Sequence, residues 1–372
     1  MDYANSEPTQ IFAAKRPRAR DWFLPLPGIT GPLNAITDVP GVTVGVHTLV
    51  QDGPKTVRTG VTAVLARPAN ELLSPIWAGS FSMNGNGEMT GTHWINEAGW
   101  FTGPITLTNT LSLGMAHHGT ARWMVNQFGD RLADNNLWVL PVAAETYDGW
   151  LNDIYGLHVT EAHVLAAINS AAGGPVPEGS VGGGTGMIAY EFKAGTGTAS
   201  RRVQVNGESF TIGVLVQANH GLRPWLTVCG TPVGQALPGD APWSQERGSI
   251  IAIVATDAPL LPIQLQRLAR RAAIGIGRGG TPSGNNSGDI FLAFTTANNP
   301  GPLPEPPRLH FDVLGNDKLD TMFMGVVEAV DEAVLNAMLA ADPCTGREGR
   351  FVPALEGHQL ATLLGVRTTW TR

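Results

Sequence analysis

The chain has 372 residues, of which 43% are hydrophobic and only 15% are charged, and its formal net charge is −7. Because so few charged residues leave most of the chain free to be buried, the composition excludes a largely disordered protein. The negative net charge argues against a nucleic-acid-binding protein, which normally carries a basic face.

Cysteine usage and the N-terminal sequence predict where the protein works. Cys229 and Cys344 are far apart and have neither metal-binding nor redox spacing, which favours a reducing compartment. The N-terminal residues lack the apolar core of a signal peptide, and no window approaches about eighteen apolar residues. We therefore expect a soluble, cytoplasmic protein.

Short β-rich runs alternate with amphipathic runs along the chain. In chain order, strands are predicted at residues 41–50, 60–66, 137–144, 210–218, 248–256 and 289–297. Helices are predicted at residues 120–128, 160–174, 262–277 and 319–341. Most strand runs are too continuously apolar to have one wet face, so we expect sheets that are covered on both sides. With no linker between compositional halves, the pattern predicts a single layered α/β or α+β sandwich over residues 1–372.

The pair Gly248-Ser249 stands where a charged, turn-like stretch meets an apolar strand. A serine hydroxyl at this position can attack the preceding carbonyl if the backbone is strained, and glycine tolerates such strain best. Cleavage there would create an N-terminal serine, whose α-amine titrates near neutral pH and can activate the hydroxyl. From spacing alone, an ordinary strand-opening serine is the favoured explanation, because Gly-Ser before a strand is common.

Polar residues at two other predicted strand ends are candidates for the same chemistry. Ser287 and Asp289 stand two residues apart, so in an extended strand their side chains point to one face. Asn219 closes an apolar strand, where its amide can donate to a developing oxyanion. Its neighbour His220, expected in an exposed turn, is a poor candidate for a general base.

The segment after the strand predicted at residues 137–144 offers Glu145 and Tyr147. The carboxylate could hold a substrate ammonium, and the phenol could donate a hydrogen bond. Cap and turn roles would explain the same two residues.

Other motifs do not support phosphate or metal chemistry. The glycine-rich residues 181–187 lack the ending and the strand–helix context of a phosphate-binding loop. The histidines His93, His117 and His118 have no metal-hydrolase spacing with carboxylates. We therefore expect neither a metal nor an organic cofactor, and no membrane partner.

Taken together and in order, the motifs resemble one family. They are GPLNAITDVPGV, NGNGEMTGTHWI, GMAHHGTARWMV, AETYDGWLNDI, GGGTGMI, VQANHG, QERGSII, RLARRAAIGIGR and GNNSGDIF. The sequence is similar over nearly its whole length to the self-processing serine aminopeptidases, the family of the L-aminopeptidase D-Ala-esterase/amidase and the β-aminopeptidases.

This resemblance implies an architecture and a processing step. The fold would be a four-layer αββα sandwich, like that of N-terminal nucleophile hydrolases but with different connectivity. The precursor would cleave itself between Gly248 and Ser249 into an α chain of residues 1–248 and a β chain of residues 249–372. Four such αβ heterodimers would assemble into a tetramer.

The resemblance also implies roles for single residues. Ser249 would be the nucleophile, assisted by Ser287 and Asp289, with Ser287 bridging to the amine or hydroxyl of Ser249. Asn219 would stabilise the oxyanion, and Tyr147 would donate a hydrogen bond in catalysis or self-cleavage.

Glu145 would bind the free amino group of a peptide, amide or ester substrate, as the resemblance implies. Some β-aminopeptidases carry Glu at the position of Asp289. Asp289 therefore favours an enzyme for α-amino substrates, without excluding β-amino ones. The ornithine acetyltransferases share the architecture, but their nucleophile is threonine. A non-catalytic binding protein on the same scaffold would show no self-cleavage.

Overall fold

The computed structural model describes residues 16–366 except 238, 240–244 and 247. The first fifteen residues, on which the expectation about a signal peptide depends, lie outside the described residues.

The described strands belong mainly to two sheets. Their bounds are β1 Thr43–Gln51, β2 Val57–Leu65, β3 Ile76–Gly85, β4 Trp100–Phe101, β5 Ile105–Asn109, β6 Val142–Thr146, β7 Ile188–Ala189, β8 Phe192–Lys193, β9 Thr196–Val205, β10 Glu208–Asn219, β11 Ser249–Thr256, β12 Gly288–Thr295, β13 Cys344–Thr345 and β14 Phe351–Val352. One sheet has the order β1-β2-β5-β6, and the other has the order β4-β3-β12-β11-β10-β9. The pairs β7–β8 and β13–β14 form two small ribbons.

The helices lie outside the two sheets. Their bounds are α1 Thr92–Ala98, α2 Leu113–Asp134, α3 Glu161–Asn169, α4 Pro262–Arg278, α5 Asp320–Leu339 and α6 Gly357–Leu363. Helices α2 and α3 pack on the four-stranded sheet, whereas α4 and α5 pack on the six-stranded sheet. The inner faces of the two sheets share one apolar core. The molecule is therefore the four-layer αββα sandwich that the resemblance implied.

Strand β11 shows why its sequence is apolar throughout. Ile250, Ala252 and Val254 point into the core under α4 and α5. The alternate residues, Ile251 and Ile253, point into the core between the sheets. A central strand buried on both faces needs apolar residues at every position, which is the pattern that the sequence presents.

Local signals predicted some element bounds and missed others. The strand predicted at residues 137–144 begins only at Val142, directly after Pro141, which has no N–H to give to a sheet. The helix predicted at residues 160–174 starts after Thr160, as expected, but ends at Asn169, before the paired glycines. Strands β3, β5 and β9 were not predicted, although they belong to the two sheets.

The glycine-rich residues 181–187 pack closely between the two sheets and do not form a ligand-binding loop. Gly183 lies against Gln217 and the Leu107 backbone so closely that a Cβ would overlap both. A side chain at this point would force the two sheets apart. In the part of the chain that the structure describes, no helix is long and apolar enough to cross a membrane.

Candidate active site

The candidate nucleophile opens the central strand of the six-stranded sheet. Ser249 pairs with Asn219, the last residue of β10, on one side and with Gly288, the first residue of β12, on the other. Its hydroxyl oxygen accepts a hydrogen bond from the Gly288 backbone N–H at 3.2 Å. Since residues paired across neighbouring strands point to the same face, Ser249 and Asn219 both face the four-stranded sheet.

The amide of Asn219 is fixed by two hydrogen bonds. Its Oδ1 accepts from the Ile188 N–H at 2.9 Å, and its Nδ2 donates to the Tyr147 carbonyl at 2.9 Å. A primary amide nitrogen carries two hydrogens, so Asn219 has a second N–H beyond the one bonded to Tyr147 that can donate to an oxyanion. The bond to Tyr147 also ties the end of β10 to the end of β6 in the other sheet.

Gly248 is held where only glycine fits. A Cβ at this position would overlap the Asn219 carbonyl oxygen and lie 2.7 Å from the His220 Cα. Because both neighbours are backbone, neither can move aside as a flexible side chain would. The residue before Ser249 is therefore pressed against the strand end that carries Asn219.

Ser287 and Asp289 come together, as their spacing predicted. The Ser287 hydroxyl donates to Asp289 Oδ1 at 2.6 Å, and the Ser283 hydroxyl donates to Oδ2. Burial raises the pKa of Asp289, while these two serines and the Ile250 backbone oppose that shift. Asp289 is thus a buried carboxylate held by hydroxyl donors.

The strand register places this carboxylate beside Ile250 and not beside the Ser249 side chain. Ser249 pairs with Gly288, so its hydroxyl and the Asp289 side chain leave opposite faces of the sheet. In the described residues, Ser287 accordingly hydrogen-bonds to Asp289 and not to Ser249. The Ser287–Asp289 pair therefore lies on the opposite face of the sheet from the Ser249 hydroxyl.

Glu145 approaches from the opposite sheet. It lies in β6, and its carboxylate accepts hydrogen bonds from the Glu88 N–H at 2.9 Å and from the Thr110 hydroxyl. Gly87 closes the gap between the sheets, since a Cβ there would lie 3.2 Å from both Glu145 and Gly288. Burial raises the pKa of Glu145, and the nearby Glu88 adds to that shift.

A cavity of about 770 Å³ joins the carboxylate to the candidate nucleophile. It is lined by Glu145, Glu88, Tyr147 and Ser249, among others. A substrate ammonium in this cavity would meet the Glu145 carboxylate, which compensates the cost of burying a positive charge. The arrangement suits a small molecule that carries a free amine.

Tyr147 directly follows β6 and is 40% exposed. Partial burial raises the pKa of its phenol, so the group stays protonated and can donate a hydrogen bond at neutral pH. It lines the same cavity as Ser249. The structure therefore brings Tyr147, Glu145 and Ser249 together around one cavity, and Asn219 lies next to Ser249 as its cross-strand partner.

The prediction that His220 lies in an exposed turn was wrong, because the side chain is buried. It packs edge-on against Tyr190, with ring centroids 5.2 Å apart. Burial lowers the pKa of His220 to about 3, so the ring is neutral at ordinary pH. It fills the core behind the site and does not line the cavity that holds Ser249.

The roles of two residues near the site were not predicted from the sequence. Glu246 is buried and accepts hydrogen bonds from the backbone N–H groups of Gly221 and Gly284, which anchors the chain just before Gly248. Gln217 donates to the Thr108 carbonyl at 2.9 Å and so links the two sheets. A polar residue inside an apolar strand was the one available signal for Gln217.

Among the described residues, no group of three or more His, Cys, Asp or Glu side chains is placed to hold a metal ion. The candidate residues of the site carry a hydroxyl, a primary amide, a phenol and two carboxylates.

Comparisons with known proteins identify the family of the chain. The model of peptidase family S58 matches residues 34–352. The β-peptidyl aminopeptidase BapA of Sphingosinicella microcystinivorans is 46% identical over 376 residues, which cover 95% of this chain and 93% of BapA.

Two solved structures share the fold. The L-aminopeptidase D-Ala-esterase/amidase of Ochrobactrum anthropi, described as a prototype of the serine aminopeptidases and a new variant of the Ntn hydrolase fold, is 53% identical. That match has a TM-score of 0.90 and covers 94% of this chain and 98% of the other. A β-aminopeptidase from a Burkholderia species is 43% identical, with a TM-score of 0.88 and coverage of 95% and 100%.

Proposed function

The chain belongs to peptidase family S58, and on this basis we propose that it is a self-processing serine aminopeptidase that also acts on amides and esters. It releases the N-terminal amino acid from short peptides. The observation that carries the proposal is the pairing of Asn219 with Ser249 at the mouth of a cavity that also contains Glu145. The nucleophile and the amine-binding carboxylate thus line one cavity, and the oxyanion donor is the nucleophile's cross-strand partner.

Maturation is the first reaction. The Ser249 hydroxyl oxygen attacks the Gly248 carbonyl carbon, the C–N bond breaks, and the hydroxyl proton moves to the departing nitrogen. The resulting Gly248 ester on Ser249 is hydrolysed by water, which yields chains 1–248 and 249–372. The backbone packing of Gly248 against Asn219 supports this step, because it holds the carbonyl and the serine at one strand end.

Peptide hydrolysis repeats the same chemistry on a substrate. The freed α-amine of Ser249 takes the hydroxyl proton as the oxygen attacks the substrate carbonyl, and the Asn219 amide stabilises the oxyanion. The departing amine takes that proton as the C–N bond breaks. Water then attacks the acyl ester and regenerates Ser249.

The carboxylates have separate roles in this proposal. Glu145 binds the substrate ammonium. Asp289, held by Ser287, lies beside the strand start and stabilises the protonated α-amine of Ser249. The Tyr147 phenol keeps its proton and donates a hydrogen bond in catalysis or self-cleavage.

A β-aminopeptidase activity is the second candidate, since two of the relatives carry that name. Asp289 favours α-amino substrates in our interpretation. The two activities differ in where the amine lies relative to the scissile carbonyl, so one added methylene moves the ammonium relative to Glu145.

We further propose that the protein works in the cytoplasm as a tetramer of αβ heterodimers. Both described cysteines are free, which agrees with a reducing compartment. Exposed apolar side chains such as Trp138, Ile263 and Ile274 are available for subunit contacts.

The test is hydrolysis by the purified protein of L-aminoacyl and β-aminoacyl p-nitroanilides and dipeptides, each beside its N-acetylated form. We expect the free-amine substrates to be cleaved and the N-acetylated ones to resist. Cleavage that persists in Ser249→Ala at the wild-type rate would contradict the proposal.

A further inference from the structure

A second cavity adjoins the active site on the side away from Glu145. It has a volume of about 260 Å³, and its lining includes Trp150, Asn219, Arg347 and Arg350. Tyr147 and Gly248 line both this cavity and the one that holds Ser249. A molecule bound across the nucleophile would therefore extend from one cavity into the other.

The two cavities carry opposite charge. The first contains the carboxylates Glu145 and Glu88, whereas the second contains the guanidinium groups of Arg347 and Arg350. Glu348 pairs with both arginines, at 2.8 Å from Arg347 and by a short contact with Arg350. Two cations against one anion leave a net positive charge, and the other titratable groups of this cavity, Tyr147 and His220, are neutral.

The arginines are held in place and do not extend freely into solvent. Arg350 donates to the Trp150 carbonyl at 3.3 Å, and its guanidinium lies 4.5 Å from the centre of the Trp150 ring. The Arg347 backbone N–H donates to the Leu151 carbonyl at 2.8 Å. The two side chains are only 32% and 29% exposed. Both therefore meet a ligand with little further loss of side-chain freedom.

The segment that carries them is itself tightly built. Arg347 and Arg350 lie in the turn between β13 and β14, which is closed by a hydrogen bond from the Gly346 N–H to the Arg350 carbonyl at 2.9 Å. A Cβ on Gly346 would lie 2.5 Å from the Leu151 carbonyl oxygen, so the turn sits directly on the backbone of the site. Glu348 has a φ of +59°, a left-handed conformation that non-glycine residues seldom adopt.

We propose that this second cavity is a carboxylate-binding subsite, so that the preferred substrates are dipeptides with a free C-terminal carboxylate. The proposal rests on the aminopeptidase function proposed above. The ammonium binds at Glu145, the scissile carbonyl lies between Ser249 and Asn219, and the terminal carboxylate binds Arg347 and Arg350. The planar guanidinium fork suits a carboxylate, which it can bind through two parallel hydrogen bonds.

A two-residue ligand suits this arrangement because the two cavities meet at Tyr147 and Gly248. An extended chain spans at most about 3.3–3.6 Å per residue, so each residue added beyond the scissile bond moves the terminal carboxylate that much farther from Ser249. A longer peptide would carry its carboxylate past the cavity. An amidated dipeptide would have the same length but no charge for the arginines to bind.

The experiment compares matched acids and amides. L-leucyl-L-alanine and β-alanyl-L-alanine are each assayed with a free carboxylate and as the C-terminal amide, on the wild type and on the double variant Arg347→Gln/Arg350→Gln. We expect the variant to lose about 10–100-fold in kcat/KM on the acids, the size of a lost charged hydrogen bond, and little on the amides. Arg308→Gln, at an exposed arginine, is the matched control.

Folding of the variants is checked by their self-cleavage, since a misfolded chain would remain uncut. Arg350→Lys keeps the charge without the fork and should retain part of the preference for acids. An equal loss on acids and amides in the double variant would overturn the inference. If the wild type cleaves neither acids nor amides, the proposed function itself fails.

Discussion

Asn219 ends β10 directly opposite Ser249, which begins β11, so the candidate oxyanion donor and the candidate nucleophile are cross-strand partners. Their relative position depends on the ladder of main-chain hydrogen bonds between two buried strands and not on a loop. Such a scaffold positions reacting groups accurately, because strands of a packed sheet move little.

Replacement of Asn219 should damage turnover more than substrate binding. The variant Asn219→Asp keeps an acceptor for the Ile188 N–H but loses the amide hydrogens and places a negative charge near the oxyanion. By comparison with other oxyanion donors, we expect kcat to fall about 10²–10³-fold. Steady-state kinetics beside Asn285→Ala, at an exposed asparagine of a nearby loop, measure the effect; similar losses in both variants would argue against an oxyanion role.

Loss of the Glu145 charge should act on binding of the amine. We expect Glu145→Gln to raise KM for free-amine substrates while kcat changes less, and to leave any residual hydrolysis of N-acetylated ones unaltered. Glu88→Gln, at an exposed carboxylate of the same cavity, is the control and should have a smaller effect. Equal changes for acetylated and free substrates would remove the proposed role.

The same carboxylate predicts a pH dependence. Burial raises the pKa of Glu145 above the ordinary glutamate value, and only the ionised form attracts an ammonium. As pH falls, Glu145 is therefore protonated earlier than an exposed glutamate, and KM should rise in that higher pH range. Measurement of KM against pH should show this rise in the wild type and a flat profile in Glu145→Gln.

Asp289 should matter for the protonation state of the N-terminal amine. Asp289→Asn keeps the shape and the contacts with serine but removes the charge, so the pKa of the Ser249 α-amine should fall. We expect a lower kcat and a shift of the amine-dependent limb of the pH–rate profile to lower pH. Ser287→Ala, which removes one donor and no charge, should have the weaker effect; identical profiles in wild type and Asp289→Asn would contradict this role.

Gly248 should tolerate no side chain. In Gly248→Ala the added Cβ would overlap the Asn219 backbone, so the strand end must shift and self-cleavage should slow strongly. Gly277→Ala is the matched control, because a Cβ there meets nothing within 4 Å. The time course of chain cleavage after refolding measures the effect, and equal rates in both variants would show that the packing at Gly248 is irrelevant.

Sequence patterns predicted individual strands but not which strands pair with one another in the sheets. The apolar run of β11 and the polar residue that ends β10 are local features, so Ser249 and Asn219 were predicted at strand ends. Their pairing is long-range and leaves no trace in local periodicity. For the same reason the sequence offered Glu145 as a possible ammonium-binding carboxylate but did not place it near Ser249, since that approach depends on how the two sheets pack.

The residues that were missed or misjudged are those whose partners lie far along the chain. Glu246 looks like an ordinary turn charge, but it is buried because two distant backbone segments surround it. His220 looked like an exposed turn residue, whereas Tyr190 covers it. Arg347 and Arg350 lie in a turn about one hundred residues after Ser249 in the sequence. Only folding brings them next to Tyr147.

The central claim is that Ser249 is both the new chain terminus and the nucleophile. Intact mass and N-terminal sequencing of the purified protein under denaturing conditions test it most directly. We predict two chains, the smaller beginning Ser-Ile-Ile-Ala-Ile, and a single uncut chain in Ser249→Ala. A wild-type protein that remains one chain on prolonged incubation would contradict the account and leave Ser249 as an ordinary strand residue.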